Sequence, residues 1–118
     1  MEKVKIGVIG VGTIGAVHAT DLASRPLAEL VGIADVNVDL REKTAQELET
    51  RGYADYRELI NTPGLEAISI CTPDDSHLGP VMDCMDAALH IILEKPLATR
   101  LDEAETIAKR ARGYGKKF

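Results

Sequence analysis

The stretch Lys5-Ile6-Gly7-Val8-Ile9-Gly10-Val11-Gly12-Thr13-Ile14-Gly15 joins an apolar run to a helical pattern through three spaced glycines. Gly10, Gly12 and Gly15 fit the pattern G-x-G-x-x-G. Gly10 would permit a tight strand-to-helix turn, Gly12 would let a diphosphate approach bare backbone, and Gly15 would let the helix pack closely on the strand. Unpaired N–H groups and the positive end of the helix dipole would then favour phosphate at this turn.

An acidic residue stands at the distance from the glycines that a dinucleotide site requires. Asp35 lies twenty residues after Gly15, at the end of a second apolar run over 29–34. A carboxylate here accepts hydrogen bonds from the adenosine ribose, and it would repel a 2′-phosphate because the following Val36-Asn37 offers no arginine. We therefore expect NAD to bind at least about tenfold more tightly than NADP. The alternative, a glycine-rich turn without a ligand, does not account for the acid at this spacing.

The size and charge of the chain restrict its class. Its 118 residues suffice for one domain, and 45% apolar, 28% charged and only 3% aromatic residues indicate a soluble domain with an aliphatic core. The net charge of −5 argues against a nucleic-acid partner, whose binding requires a basic face. Any phosphate affinity must therefore come from the local helix terminus and loop amides.

The cysteines and the hydropathy pattern bear on location. Cys71 and Cys84 are thirteen residues apart and form no C-x-x-C pair, so we interpret them as reduced thiols of a cytoplasmic protein. The first residues lead directly into a strand pattern without a signal peptide, and no apolar run approaches the roughly 20 residues that span a bilayer. We expect no membrane partner. The pattern of Cys, His and acidic residues predicts no metal site.

Strand and helix patterns alternate along the chain. The expected strands are residues 3–9, 28–34, 53–55, 67–71 and 90–93. Two of the expected helices cover 13–24 and 56–60. Another is capped by Asn37 and stops at Gly52, and a fourth starts between Ser76 and Pro80. The last begins at a Thr99–Asp102 capping box and ends at Gly113. This alternation predicts an α/β protein with a doubly wound parallel sheet of five strands (Rossmann fold), one dinucleotide-binding domain over 1–118.

Two polar segments follow strands in the second half of the chain. Cys71-Thr72-Pro73-Asp74-Asp75-Ser76-His77 comes after the fourth strand, and Glu94-Lys95-Pro96-Leu97 after the fifth. In open α/β sheets, ligands bind at the carboxyl ends of the strands near the switch in strand order. Both segments are therefore candidates for lining a cofactor crevice.

With the glycine turn and Asp35, these segments resemble the glucose–fructose oxidoreductase/inositol dehydrogenase/MocA family of NAD(P)-dependent oxidoreductases. The resemblance covers the whole chain and rests on "GVGTIG..H", "ADVN", "ICTPDDSH" and "LEKPLA", of which Glu-Lys-Pro is the most diagnostic. It implies transfer of hydride between a nicotinamide cofactor, here NAD, and a sugar or polyol hydroxyl. The chain departs from the family at Asp74, where Asn is usual, so no contact is assigned there.

The resemblance also implies roles for individual residues. Lys95 would be the catalytic lysine, which contacts the substrate hydroxyl and helps its deprotonation, and its bond to Pro96 is often cis in relatives. Thr72 and Pro73 would line the nicotinamide side, with His77 close by. The full cofactor-binding set is Gly10, Gly12, Thr13, Ile14, Gly15, Asp35, Cys71, Thr72, Pro73, His77, Glu94 and Lys95.

Local chemistry supports a functional reading of Lys95. A residue before proline is restricted to extended backbone, which would direct this side chain from the strand end into the crevice. An ammonium there could stabilise an alkoxide as hydride leaves the carbinol carbon. Without the resemblance, the alternative is that Lys95 is a solvent-exposed residue at the end of a strand and has no role in binding or catalysis. Glu94 is expected to orient Lys95 or a loop amide rather than to act as a base.

The three histidines are distinguished by strand polarity. His90 begins the fifth strand, so it lies at the end of the sheet opposite the crevice. His18 follows Gly15 by about one helical turn and is expected to be a packing or hydrogen-bonding group. His77 lies near the crevice, and both a structural and a functional role are open for it.

The family's enzymes have a second domain that supplies most of the substrate pocket, and 118 residues do not encode it. The chain alone is therefore expected to bind NAD without turning over a polyol. A non-catalytic NAD-binding or self-assembling module is the alternative. An uncovered apolar face and an open edge at the fifth strand would favour a homo-oligomer, most simply a dimer. A methyltransferase is a third option that the Glu-Lys-Pro segment and the glycine spacing disfavour.

Overall fold

A computed structural model describes residues 2–118, in which five parallel strands form one sheet in the order β3-β2-β1-β4-β5. The strands are β1 (Val4–Ile9), β2 (Ala28–Ala34), β3 (Arg51–Tyr53), β4 (Ala67–Ile70) and β5 (His90–Leu93). The helices are α1 (Thr13–Ser24), α2 (Val38–Glu47), α3 (Tyr56–Ile60), α4 (Leu78–Asp86) and α5 (Leu101–Arg112). The strand order reverses between β1 and β4, so the predicted doubly wound Rossmann fold is confirmed.

Aliphatic side chains fill both faces of the sheet. On one face, Leu59 of α3, Val81 of α4 and Ile107 of α5 pack on the central strands and are fully buried. On the other face, Ala19 of α1 contacts Ile33 and its neighbours. Full burial of a side chain the size of Leu or Ile stabilises the fold by about 1.5–3 kcal/mol, so these two layers hold the strand ends in place.

The stop that sequence analysis placed at Gly52 is wrong. Helix α2 ends at Glu47, and Glu49 makes the turn with a φ of 51°, although it is not a glycine. Gly52 lies inside β3, which begins two residues earlier than the strand predicted over 53–55. A Cβ at Gly52 would lie 3.0 Å from Cγ of Arg41, so this glycine lets α2 approach the edge strand.

The capping box predicted for Thr99 and Asp102 is also wrong. Arg100 occupies the N-cap of α5 and no side chain caps it, because the helix begins at Leu101. Asp102 lies in the first turn, where its carboxylate accepts a hydrogen bond from the Glu103 N–H and pairs with Arg100 at 3.0 Å. The acidic side chain therefore acts on the helix dipole rather than on the cap.

The outer edge of β5 is not fully open. The N–H of Ile91 donates to the carbonyl oxygen of Lys117 at 2.9 Å, and the N–H of Lys117 donates to Nδ1 of His90 at 3.0 Å. The end of the chain therefore covers part of an edge that was predicted to be free. Ile92 and Phe118 remain about half exposed beside it. Within residues 2–118, every helix is too short or too polar to cross a bilayer.

Candidate functional site

The turn between β1 and α1 requires two of its glycines for close backbone approach. Gly10 has a φ of +87°, and a Cβ there would lie 2.7 Å from the carbonyl oxygen of Cys71. A Cβ at Gly15 would lie 1.7 Å from the carbonyl oxygen of Gly10, which no side chain can accommodate. At Gly12 a Cβ would meet nothing within 4 Å, so this glycine borders open space.

The start of α1 leaves its first amides without a side-chain partner. Gly12 is its N-cap residue and makes no side-chain cap, whereas Asn37 caps α2 and Asp55 caps α3. The first N–H groups of a helix have no intrahelical acceptor, and the helix dipole places partial positive charge there. The amides around Thr13 and Ile14 therefore form a bare donor set that faces the open space beside Gly12.

Asp35 is bonded directly to the glycine turn. Its Oδ2 accepts a hydrogen bond from the N–H of Val11 at 2.9 Å, and its Oδ1 accepts one from the N–H of Asn37 at 2.8 Å. A carboxylate oxygen has more than one acceptor position, so both oxygens retain capacity for a further donor. The carboxylate is thus oriented in advance beside the start of α1.

A cleft of about 490 Å³ lies along the carboxyl ends of the strands. It collects ten of the twelve residues that sequence analysis proposed for cofactor binding: Gly10, Gly12, Thr13, Ile14, Asp35, Cys71, Thr72, Pro73, Glu94 and Lys95. Val36, Leu40 and Asp74 complete its lining. Gly15 lies beneath the turn rather than on the cleft wall, and His77 lies behind the wall.

A smaller apolar cavity of about 100 Å³ adjoins the cleft at Asp35, where Ile9, Ala34 and Pro73 form part of its wall. Tyr56 also lines this cavity, and its hydroxyl donates to Oδ2 of Asp83. Partial burial, followed by this hydrogen bond and the Asp83 charge, raises the pKa of Tyr56 to about 12. The tyrosine therefore keeps its proton and presents a neutral ring to the cavity.

His77 connects the two loops at the cleft without lining it. Its side chain is buried, with Nε2 at 3.1 Å from the carbonyl oxygen of Thr72 and Nδ1 at 3.3 Å from that of Leu97. These contacts hold the loop after β4 against the loop after β5. Of the two roles left open by the sequence, the geometry favours the structural one.

Lys95 lies at the rim of the cleft, immediately after β5 and Glu94. The Lys95–Pro96 peptide bond is cis, as the resemblance implied. The N–H of Glu94 donates to the carbonyl oxygen of Ile70 at 3.1 Å, so the sheet ladder still fixes the residue that precedes the lysine. The lysine therefore leaves the sheet from a backbone position set by β4.

A side-chain network that was not predicted from the sequence lies behind this rim. His18 places Nδ1 2.8 Å from Oγ of Ser69 and Nε2 3.2 Å from Oε2 of Glu94. In residues 2–118 the described partner of the Glu94 carboxylate is His18, a contact that the prediction for Glu94 did not include. A serine in the middle of an otherwise aliphatic strand was the available signal, since a buried hydroxyl requires a partner.

The thiol of Cys71 adjoins the same network. Its Sγ lies 3.4 Å from Nδ1 of His18 and 3.6 Å from Oγ of Ser69. Burial raises the pKa of the Cys71 thiol, the Ser69 hydrogen bond opposes this, and the Glu94 carboxylate adds to the increase. A thiol in this state is a weak nucleophile near neutral pH. In the described part of the chain, no three His, Cys, Asp or Glu side chains are grouped to hold a metal.

The chain is similar to known oxidoreductases. A family model described as "Oxidoreductase family, NAD-binding Rossmann fold" matches residues 4–118. Myo-inositol 2-dehydrogenase of Thermotoga maritima is 37% identical over 102 residues, which cover 86% of this chain and 30% of that protein. Inositol 2-dehydrogenase of Rubrobacter xylanophilus is 32% identical over 118 residues, covering 99% of this chain and 34% of that protein.

A solved structure agrees with these relatives. Myo-inositol dehydrogenase from Lactobacillus casei, in complex with NAD(H) and myo-inositol, matches with a TM-score of 0.90 and 30% identity. The match covers 98% of this chain and 35% of that one. The chain therefore spans about a third of the length of the relatives it matches.

Proposed function

Since the chain belongs to the glucose–fructose oxidoreductase/inositol dehydrogenase/MocA family, we propose that it forms the NAD-binding part of a sugar or polyol dehydrogenase. The observation that carries this proposal is the pairing of uncapped amides at the start of α1 with an oriented carboxylate, Asp35. A diphosphate requires the first and a ribose the second. The names of the inositol dehydrogenases among its relatives support a polyol as the substrate class.

The proposed cofactor lies along the cleft from the Asp35 end to the Lys95 end. The apolar cavity beside Tyr56 would accept the adenine ring, and the amides around Gly12 would hold the pyrophosphate. The loops that carry Thr72 and Glu94 would then hold the nicotinamide. A cleft of about 490 Å³ is within the range of cofactor sites in proteins.

Lys95 is the residue that we propose for the chemistry. NAD supplies the hydride acceptor when it is bound. Oxidation of a carbinol gives its hydride to the cofactor and its hydroxyl proton to a base. The Lys95 ammonium would stabilise the developing alkoxide, and the base that takes the proton would belong to protein beyond these 118 residues. The strand ladder at Glu94 fixes the backbone from which the lysine projects. The remaining substrate contacts come from protein outside these 118 residues.

The chain by itself is proposed to bind NAD without turnover. Hydride transfer requires a positioned substrate and a proton acceptor, and the matched relatives are about three times as long as this chain. Incubation of the pure chain with NAD and inositol should produce no sustained absorbance of NADH. Steady NADH production that depends on protein concentration would refute this part of the proposal.

NAD is proposed to bind at least about tenfold more tightly than NADP. The ribose end of the cleft is lined by the Asp35 carboxylate and by the apolar side chains of Val36 and Leu40. A 2′-phosphate there would meet the negative charge of Asp35, and the cation that lines the described cleft, Lys95, lies at its other end. Arg41 instead points its Nη1 to the backbone carbonyl of Asp35 at 3.1 Å.

The test of the binding proposal is calorimetric titration of the chain with NAD beside Asp35→Ala. A loss of affinity in the variant supports the proposed site, and the fall in its melting temperature reports the separate cost of the acceptor that the N–H of Val11 loses. Equal affinities would contradict it. Titration with NADP in the same series measures the preference, and equal affinity of the wild-type chain for both cofactors would contradict the preference alone.

A second proposal concerns assembly and location. Half-exposed Ile92 and Phe118 beside the edge of β5 favour association of two chains, in line with a dimeric module. Sedimentation of wild-type chain and Ile92→Glu should show a dimer and a monomer, respectively. A wild-type monomer at high concentration would contradict it.

The absence of a disulfide between the described Cys71 and Cys84 is in line with a cytoplasmic protein, which cell fractionation tests.

A further inference from the structure

His18 lies where three elements of the site meet. It projects from α1 one turn after Gly15, contacts Ser69 of β4 through Nδ1, and contacts Glu94 after β5 through Nε2. Ser69 is fully buried, whereas the side chains of His18 and Glu94 are 27% and 30% exposed. Solvent therefore reaches both side chains of the pair.

Both protonation states of His18 satisfy the same neighbours. The neutral ring donates from Nε2 to Glu94 and accepts at Nδ1 from the Ser69 hydroxyl. The charged ring donates from both nitrogens, and the Ser69 oxygen then accepts while its hydroxyl turns toward Sγ of Cys71 at 3.6 Å. The ring can therefore gain or lose a proton while its hydrogen-bond partners stay the same.

Glu94 also lines the end of the cleft that holds Thr72 and Lys95. We propose that the charge of His18 determines the relative affinity of this cleft for oxidised and reduced nicotinamide dinucleotide, acting through Glu94. This inference rests on the proposed function, because it requires NAD to lie with its nicotinamide at this end. His18 would thus be a specificity-determining residue for the redox form of the cofactor.

The direction of the effect follows from charge. The nicotinamide ring is positive in NAD⁺ and neutral in NADH, so a carboxylate that is not neutralised favours the oxidised form. A protonated His18 cancels much of the Glu94 charge and therefore weakens NAD⁺ more than NADH. Two charges separated by several Å in a partly solvated site give about a threefold to tenfold change in the ratio of affinities.

Other ionisable groups lie around His18. On its own helix, Asp21 is one turn further on and is engaged by Arg25 at 2.8 Å. From β4, the Cys71 thiol keeps its proton because burial raises its pKa. Lys95 and Asp74 line the cleft. Of these side chains, imidazole is the type whose charge ordinarily changes between pH 5 and 8.

The experiment compares wild type, His18→Gln and the matched control His90→Gln by titration with NAD⁺ and NADH at about pH 5.5 and about pH 8.5. His90 is an imidazole at the opposite end of the sheet. We expect the ratio of Kd for NAD⁺ to Kd for NADH to fall about threefold to tenfold as the pH rises in wild type and in His90→Gln. In His18→Gln the ratio should be constant.

A second measurement uses the wild-type chain and so does not depend on the folding of a variant. Thermodynamic linkage requires that NAD⁺ lower the pH at which the His18 ring gains its proton, relative to NADH. The ring C–H resonances in NMR spectra, assigned with His18→Gln, report that pH. Identical His18 titrations with the two cofactors, or a pH-dependent ratio that persists in His18→Gln, would overturn the inference while leaving NAD binding intact. Absence of dinucleotide binding would overturn it together with the proposed function.

Discussion

Oδ2 of Asp35 lies 2.9 Å from the backbone nitrogen of Val11, so the end of β2 is bonded to the glycine turn that follows β1. The acid proposed to hold the ribose and the amides proposed to hold the diphosphate are therefore parts of one unit. A change at Asp35 acts on both, because the turn loses an acceptor when the carboxylate is removed.

Asp35→Asn separates the charge of this residue from its shape. The amide retains one acceptor oxygen but replaces the other with an NH₂ group, which cannot accept from Val11 or from a ribose hydroxyl. We expect NAD affinity to fall about tenfold or more, and the preference over NADP to fall with it, as measured by calorimetry. Asp86→Asn, near the end of α4 and away from the cleft, is the charge-matched control. A tenfold loss in the control as well would attribute the effect to net charge.

Gly12→Ala and Gly15→Ala are expected to fail in different ways. The Cβ at Gly12 enters open space, so the chain should fold with nearly wild-type stability but lose NAD affinity, since the methyl occupies the approach of the diphosphate. The Cβ at Gly15 would overlap the carbonyl oxygen of Gly10, which should destabilise the fold by about 3 kcal/mol or more. Urea unfolding and NAD titration together distinguish the two.

Gly113→Ala provides the reference for these glycine variants. It lies at the end of α5 with nothing near a built Cβ and a φ of −102°, so its stability should equal or exceed that of wild type. If Gly12→Ala unfolded as readily as Gly15→Ala, a Cβ at Gly12 could not lie in open space as described above. If Gly12→Ala kept full NAD affinity, the diphosphate would have to bind elsewhere.

The sequence was sufficient to predict the elements whose signals are local. Helix α1 over Thr13–Ser24, strand β2 over Ala28–Ala34 and strand β5 over His90–Leu93 have the predicted bounds, and a glycine or proline lies within three residues of one end of each. Asn37 caps α2 as predicted, with its side chain accepting from the N–H of Leu40. Ten of the twelve expected cofactor residues line one cleft because parallel strands end at the same edge.

The features that were missed depend on contacts between distant parts of the chain. The His18–Ser69 hydrogen bond joins residues 51 positions apart, and no local pattern specifies which polar side chains meet across a helix and a strand. The role of Gly52 was predicted wrongly because a glycine suits two structures equally well: the end of a helix, and a strand position where a helix such as α2 packs very close. Both cases show tertiary packing deciding between two local readings of the same residue.

The two thiols should react at different rates, and bound NAD should protect one of them. Cys84 is fully buried, and burial raises its pKa to about 12, so it should react with a thiol reagent only on unfolding. Cys71 is half-buried on the cleft wall, and it should react slowly at about pH 8 and more slowly still with NAD bound. Mass spectrometry of Cys71→Ala and Cys84→Ala resolves the sites. Faster reaction at Cys84 than at Cys71, or no protection by NAD, would contradict this geometry.

Tyr56 should make the stability of the fold depend on pH in the alkaline range. Its pKa is raised to about 12, first by burial and then by Asp83, while an unfolded tyrosine ionises near 10. The stabilisation is therefore fully present below about pH 10 and is lost as the pH rises toward 12, where only the unfolded chain has released the proton. The melting temperature of wild type should fall more steeply over this range than that of Tyr56→Phe. Asp83→Asn keeps the burial but removes the carboxylate, so its slope should be intermediate, and equal slopes for wild type and Tyr56→Phe would refute the coupling.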